Sequence, residues 1–181
     1  MFDKGYAFSL IDRKEISPKS DFICYWLYNF STEKRRYIIN VELYKMNIYI
    51  IKYYAACHAK SKNKYNLLVN DENPAPIIRT CIDVMIDFYK LNPLASFGFI
   101  GSHSVNKIKK GKKKIEDKSN TQRFRIYQML MFNFFGKKTF AHSRSKKHSA
   151  YLMINRKNGS IKEFKKNSEK MFSVLYSALD F

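Results

Sequence analysis

Between Arg36 and Tyr44 the chain alternates, with Tyr37, Ile39, Val41 and Leu43 on one face, the period-two pattern of a strand that buries one side. Met46-Asn47 follows as a turn, and residues 48–56, rich in Ile and Tyr, provide an antiparallel partner. A hairpin with one apolar face is marginal in water by itself, so every further element must extend the sheet or cover it.

Residues 6–11 and 22–30 carry the aromatic and β-branched side chains of strands, with a Ser17-Pro18-Lys19-Ser20 turn between them. A polar loop over 58–64 leads to a short strand predicted at 65–69, which completes an antiparallel meander. Asn, Asp and Pro in 70–76 signal a helix start. The helix predicted over 76–91 presents Ile78, Cys81, Ile82, Met85, Phe88 and Tyr89 on one side, with Arg79, Asp83, Asp87 and Lys90 opposite. Asn92-Pro93 ends it, and residues 96–101 (SFGFIG) read as a buried strand. A lysine-rich loop is expected over 103–120. Ser119-Asn120-Thr121 then offers caps for a helix from Gln122 to Phe135, closed by Gly136. Strands are predicted at 139–141 and 151–155, joined by a basic segment, 142–148. After an Asn158-Gly159 turn, Ser160 and Glu163 fit a capping box, and Ile161, Phe164, Met171, Leu175 and Ala178 form the apolar stripe of a last helix.

The expected architecture is therefore α+β: one domain over residues 1–181, with an antiparallel sheet packed by two or three helices. Residues 1–70 are mainly strands, 104–120 a lysine-rich insertion, and 121–181 a basic helix-strand-helix part.

Charge narrows the function. The chain has 34 Lys+Arg against 15 Asp+Glu, a formal net charge of +19 in 181 residues. Residues 1–106 hold 14 basic and 10 acidic side chains, whereas residues 107–181 hold 20 and 5. So much charge of one sign strains a compact state by self-repulsion, and a polyanionic partner relieves it. No apolar run reaches about 18 residues, so no membrane span is expected, and the first ten residues lack a signal-peptide core. Cys24, Cys57 and Cys81 form neither a CxxC pair nor an even framework, which points to reduced thiols in a cytoplasm. Zinc-ligand spacings and glycine-rich phosphate loops do not occur, and neither metal nor cofactor is expected.

Several motifs carry a resemblance. Tyr65-Asn66-Leu67 followed by Asp71, Gly101-Ser102 at a strand end, Arg123 with Arg125 and Tyr127 opening a helix, and residues 151–157 resemble an uncharacterised family of small single-domain proteins found mainly in Bacteroidetes-type bacteria. The resemblance spans roughly residues 6–157 and implies a fold outline and a bacterial origin, with no activity to carry over. The chain departs from that pattern in its insertion at 104–120 and in having His103 where Thr is common.

Two constellations could do chemistry. Gly101-Ser102-His103-Ser104 with Arg123 and Tyr127 would form a phosphate cradle at a helix start; the alternative is a Gly-Ser turn with Arg125 and Tyr127 bracing the sheet. His142 and His148 flank Arg144, Lys146 and Lys147. With His103, Arg123 or Tyr127 they would form the acid, base and cation of metal-independent RNA cleavage; the alternative is that they are solvated or touch phosphates. Phosphate contacts are expected from Lys107, Lys109, Lys110, Lys112, Lys113, Lys114, Arg123, Arg125, Lys137, Lys138, Arg144, Lys146 and Lys147. Asp83 and Asp87 read as a solvated helix face and Asp71-Glu72 as capping, so no carboxylate cluster supports a metal-dependent nuclease. The run Met129–Phe135 is apolar nearly all round, which suits either a core helix or a protein contact, a homodimer among them.

The expected function is nucleic-acid binding, RNA ahead of DNA, in a phage-defence or toxin–antitoxin setting. A metal-independent endoribonuclease toxin and a non-catalytic subunit of a protein–RNA assembly stand as alternatives.

Overall fold

Strands β1 (Phe8–Glu15), β2 (Phe22–Ser31), β3 (Arg36–Tyr44) and β4 (Ile48–Ala55) form the antiparallel meander that the alternation predicts. The structure, a computed structural model, describes residues 4–17, 19–67, 73–101, 105–107, 113–115 and 117–175, with 105–107 and 113–115 described as backbone. Register pairs Tyr37 with Ala55 and Val41 with Ile51, so Ile39, Val41 and Tyr49 enter one core. The turn between β3 and β4 puts Met46 and Asn47 at positive φ, 65° and 55°.

Helix α1 (Pro74–Leu91) begins two residues before its predicted start, because Asn73 caps it by accepting from the Ala75 amide at 3.0 Å. Its inner side buries Ile77, Ile78, Ile82, Val84, Met85 and Phe88. The Phe88 ring lies 4.9 Å from Trp26 and 5.1 Å from Tyr49. On the outer side Arg79 pairs with Asp83 at 2.8 Å and Lys90 with Asp87 at 3.4 Å. α1 is also the crossover that returns the chain parallel to β4 as β5 (Ser96–Ile100). Strands β8 (Phe140–Ser145) and β9 (Ala150–Asn155) complete a seven-stranded sheet of order β1-β2-β3-β4-β5-β9-β8, antiparallel except at β4–β5. The fold class is α+β, as expected.

Helix α2 (Gln122–Phe135) lies with α1 on one face, where Phe124, Leu130 and Met131 join the same core. Helix α3 (Ile161–Leu175) covers part of the other face, packing Phe164 and Met171 against Tyr44, Ile48, Ile50 and Ile154. Ala178, expected on its stripe, lies outside the described residues.

Three expectations are corrected. Tyr65 and Asn66, expected to open a strand over 65–69, lie in turns instead: residues 56–66 make successive tight turns, including Lys64 N–H to Ser61 O and Asn66 N–H to Asn63 O, and Leu67 makes an isolated bridge. Tyr65 is held there by its side chain, edge-on to Tyr54 at 5.4 Å and bonded by Asn40, while Leu68 and Val69 lie outside the described residues. The loop at 103–120 contains a ribbon, β6 (Val105–Lys107) against β7 (Lys113–Ile115), whose register sets Lys107 opposite Lys113. Finally, β8 runs on to Ser145, because pairing with β9 continues through His142↔Met153 and Arg144↔Tyr151. His142 and Arg144 are therefore strand residues, and only the turn 146–149 is connection.

Candidate nucleic-acid interface

The interface is built where α2 crosses the edge strand β8. Thr121 starts the helix: its hydroxyl oxygen accepts from the Phe124 amide at 3.2 Å and its O–H donates to Gly101 O at 2.7 Å. Such a cap contributes about 1 kcal/mol. Gly101 is required by this contact, since a Cβ there would lie 2.6 Å from Thr121 Oγ1 and 2.7 Å from the Phe124 amide nitrogen. The β8–β9 turn joins the same knot. Buried Ser149 accepts from the Thr121 amide at 3.0 Å and donates to Lys118 O at 2.7 Å, and Asn120 N–H bonds Lys146 O at 2.9 Å. Because Gly101 and Thr121 satisfy each other, the strand-end glycine serves to seat α2.

At its other end α2 stops at Gly136, whose φ of 60° suits glycine. The Gly136 carbonyl accepts from Nε2 of His142. A carbonyl has no proton to give, so Nε2 carries the hydrogen; in the neutral ring Nδ1 then accepts from the Tyr151 hydroxyl, 2.6 Å away. Burial pushes the Tyr151 hydroxyl up to about 12, against the opposing pull of the Arg144 charge.

Between these tie points lies a cleft. From α2 it is lined by Gln128, Met129, Phe132 and Asn133; from the sheet by His142, Arg144 and Tyr151; and at its end by Lys137. Two cations and no carboxylate line it. Met129 and Phe132, 51% and 44% exposed, show that the apolar α2 run is only half committed to the core. The Phe132 ring sits 5.5 Å from the His142 ring and 4.9 Å from Lys137 Nζ.

Lys137, His142 and Arg144 meet in the cleft. Lys138, Lys146 and Lys147 are exposed beside α2's last turn and on the β8–β9 turn. Arg125 is exposed, with its guanidinium on Asn120 O at 2.7 Å. Arg123 is turned to the backbone, donating to the carbonyls of Tyr65 and Leu67. Tyr127 is hydrogen-bonded to Tyr53, and burial holds its hydroxyl well above the usual phenol range, with the Arg123 charge opposing. Arg123 and Gly136 stand at opposite ends of α2, about 20 Å apart at 1.5 Å per residue. Arg123 and Tyr127 thus belong to one end, and His142 to the other. His148 lies on the β8–β9 turn, half-buried, beyond the end of the strand that carries His142. Lys107, Lys113 and Lys114 occupy ribbon positions, while His103, Lys109, Lys110 and Lys112 lie outside the described residues.

The charge pattern of the sequence does not single out Gln128, Asn133, Phe132 or Tyr151 as contacts. A signal exists for three: Gln128 and Phe132 are four apart, as are Met129 and Asn133, so two amides interrupt an otherwise apolar run. Tyr151 had none, since a strand tyrosine looks alike whether it fills a core or faces a cleft. Among the described residues, no group of three or more His, Cys, Asp or Glu converges as a metal site would require.

Comparison with known proteins finds no family model that matches the chain, and no matching curated protein or solved structure.

Proposed function

We propose that this protein binds a nucleic acid, RNA ahead of DNA, through the α2–β8 cleft and the cations around it. The observation that carries the reading is the cleft's lining: Lys137 and Arg144 with no carboxylate, beside an exposed Phe132 and a fixed His142. A phosphate backbone satisfies these cations, and the planar Arg144 fork suits phosphate oxygens. The ribbon supports the same partner. Its register sets Lys107 opposite Lys113 within the lysine-rich insertion, a segment that a polyanion suits. The Gln128 and Asn133 amides both donate and accept, as a ribose 2′-hydroxyl requires, which favours RNA.

Fluorescence anisotropy with matched RNA and DNA oligonucleotides over a salt series tests this. Log affinity should fall by roughly 0.7–0.9 per log unit of salt for each phosphate neutralised. Absence of binding to either, or binding indifferent to salt, overturns the proposal.

A further inference from the structure

We infer that the α2–β8 cleft takes one unpaired base, seated on the Phe132 ring, and that the protein therefore selects single-stranded over duplex nucleic acid. The inference rests on the cleft being the nucleic-acid site proposed above.

Phe132 is 44% exposed in a cleft whose lining, Met129 apart, is otherwise polar, so its ring presents apolar surface to the opening. A phosphate backbone has no use for that surface, whereas the face of a base does. The neighbouring wall is rigid: hydrogen bonds to Gly136 O and the Tyr151 hydroxyl fix both nitrogens of His142, whose ring is tilted 51° to that of Phe132. A preformed wall of this kind spares a ligand the cost of ordering it. Lys137, 4.9 Å from the Phe132 ring, makes an exposed cation–π contact that base stacking outweighs, and its flexible stem carries the ammonium to a flanking phosphate. Gln128 and Asn133 supply amide donors and acceptors at the same opening, where the edge of a seated base is met. In a duplex the base faces are stacked inside, so only a single strand can use Phe132.

The test compares a labelled ten-nucleotide RNA with the same sequence held in a duplex. The expected result is a preference of about tenfold or more for the single strand. Phe132→Ala should remove most of that preference, whereas Phe132→Trp should retain it. Equal affinity for the two forms, with Phe132→Ala neutral, overturns the base seat and leaves the electrostatic reading standing. No binding to either form overturns both. A second measurement uses the unaltered protein, so it does not depend on the variant folding. 2-Aminopurine placed at successive positions of the strand should be quenched at one of them on binding, and unchanged emission at every position overturns the inference.

Discussion

The hydroxyl of Tyr151 stands 2.6 Å from Nδ1 of His142, and this bond ties β9 to the edge strand that forms one wall of the cleft. With Nε2 committed to the Gly136 carbonyl, His142 spans from the sheet to the end of α2. Tyr151→Phe removes one hydrogen bond and leaves Nδ1 without its donor, which should cost about 1–2 kcal/mol in urea unfolding. Oligonucleotide affinity should drop with it, because the wall loses its tether. An unchanged unfolding midpoint would show that the bond holds nothing in place.

The buried phenols set an alkaline limit. Burial raises the hydroxyls of Tyr49, Tyr53, Tyr54, Tyr65 and Tyr127, and that of Tyr151 to about 12. In the unfolded chain each ionises near 10. The fold favours the protonated form, so this contribution is complete below pH 10 and is lost as pH rises from 10 through 12. Stability should therefore stay level to about pH 9.5 and then fall, with the phenolate absorbance of these six and the loss of circular dichroism rising together. Ionisation of all 13 tyrosines near pH 10 in a chain that keeps its dichroism contradicts the assignment.

Glu42 and Lys52 form a largely buried ion pair, with side chains 12% and 24% accessible and 2.6 Å between them. Asn40 at 2.9 Å and the Tyr44 hydroxyl at 2.8 Å also donate to the carboxylate. Lys52→Met removes this ammonium from the carboxylate, and the loss should be about 3 kcal/mol. Adding Glu42→Leu should recover much of it, so the double-mutant cycle should depart from additivity by at least about 1 kcal/mol. Strict additivity would mean that the pair is uncoupled.

Much of this architecture is legible in period alone. Arg36–Tyr44 and Gln122–Phe135 have the predicted boundaries, since strict alternation and a Thr121 cap with a closing Gly136 are local signals. Tyr65 shows where local signals stop: its neighbours look strand-like, yet the preceding tight turns win, and its ring and its carbonyl are what dock. β8 shows the opposite failure. Residues 142–145 (HSRS) look like a solvated link, and pairing to β9 makes them strand. The cleft was half legible for the same reason. Lys137, His142 and Arg144 announce themselves by charge, but their meeting depends on α2 crossing β8, which no spacing in the sequence encodes. Arg123 is the converse, a cation chosen for its charge that the fold turns toward two carbonyls.

That contrast gives a prediction which separates the arginines. Arg144 is exposed and lines the cleft, so Arg144→Gln should leave the unfolding midpoint within about 0.5 kcal/mol, as surface changes do. If it touches one phosphate, the slope of log affinity against log salt should become shallower by about 0.7, the single-strand value for one contact. Lys137→Gln should behave alike. Arg123→Gln should do the reverse: the carbonyls of Tyr65 and Leu67 lose a charged donor, at a cost of about 1.5–3 kcal/mol, while the salt slope of the folded protein stays put. Urea unfolding and anisotropy on the same three variants read both quantities. A reduced slope for Arg123→Gln with unchanged stability would move the interface to the other end of α2, where the first turn and the β8–β9 turn meet.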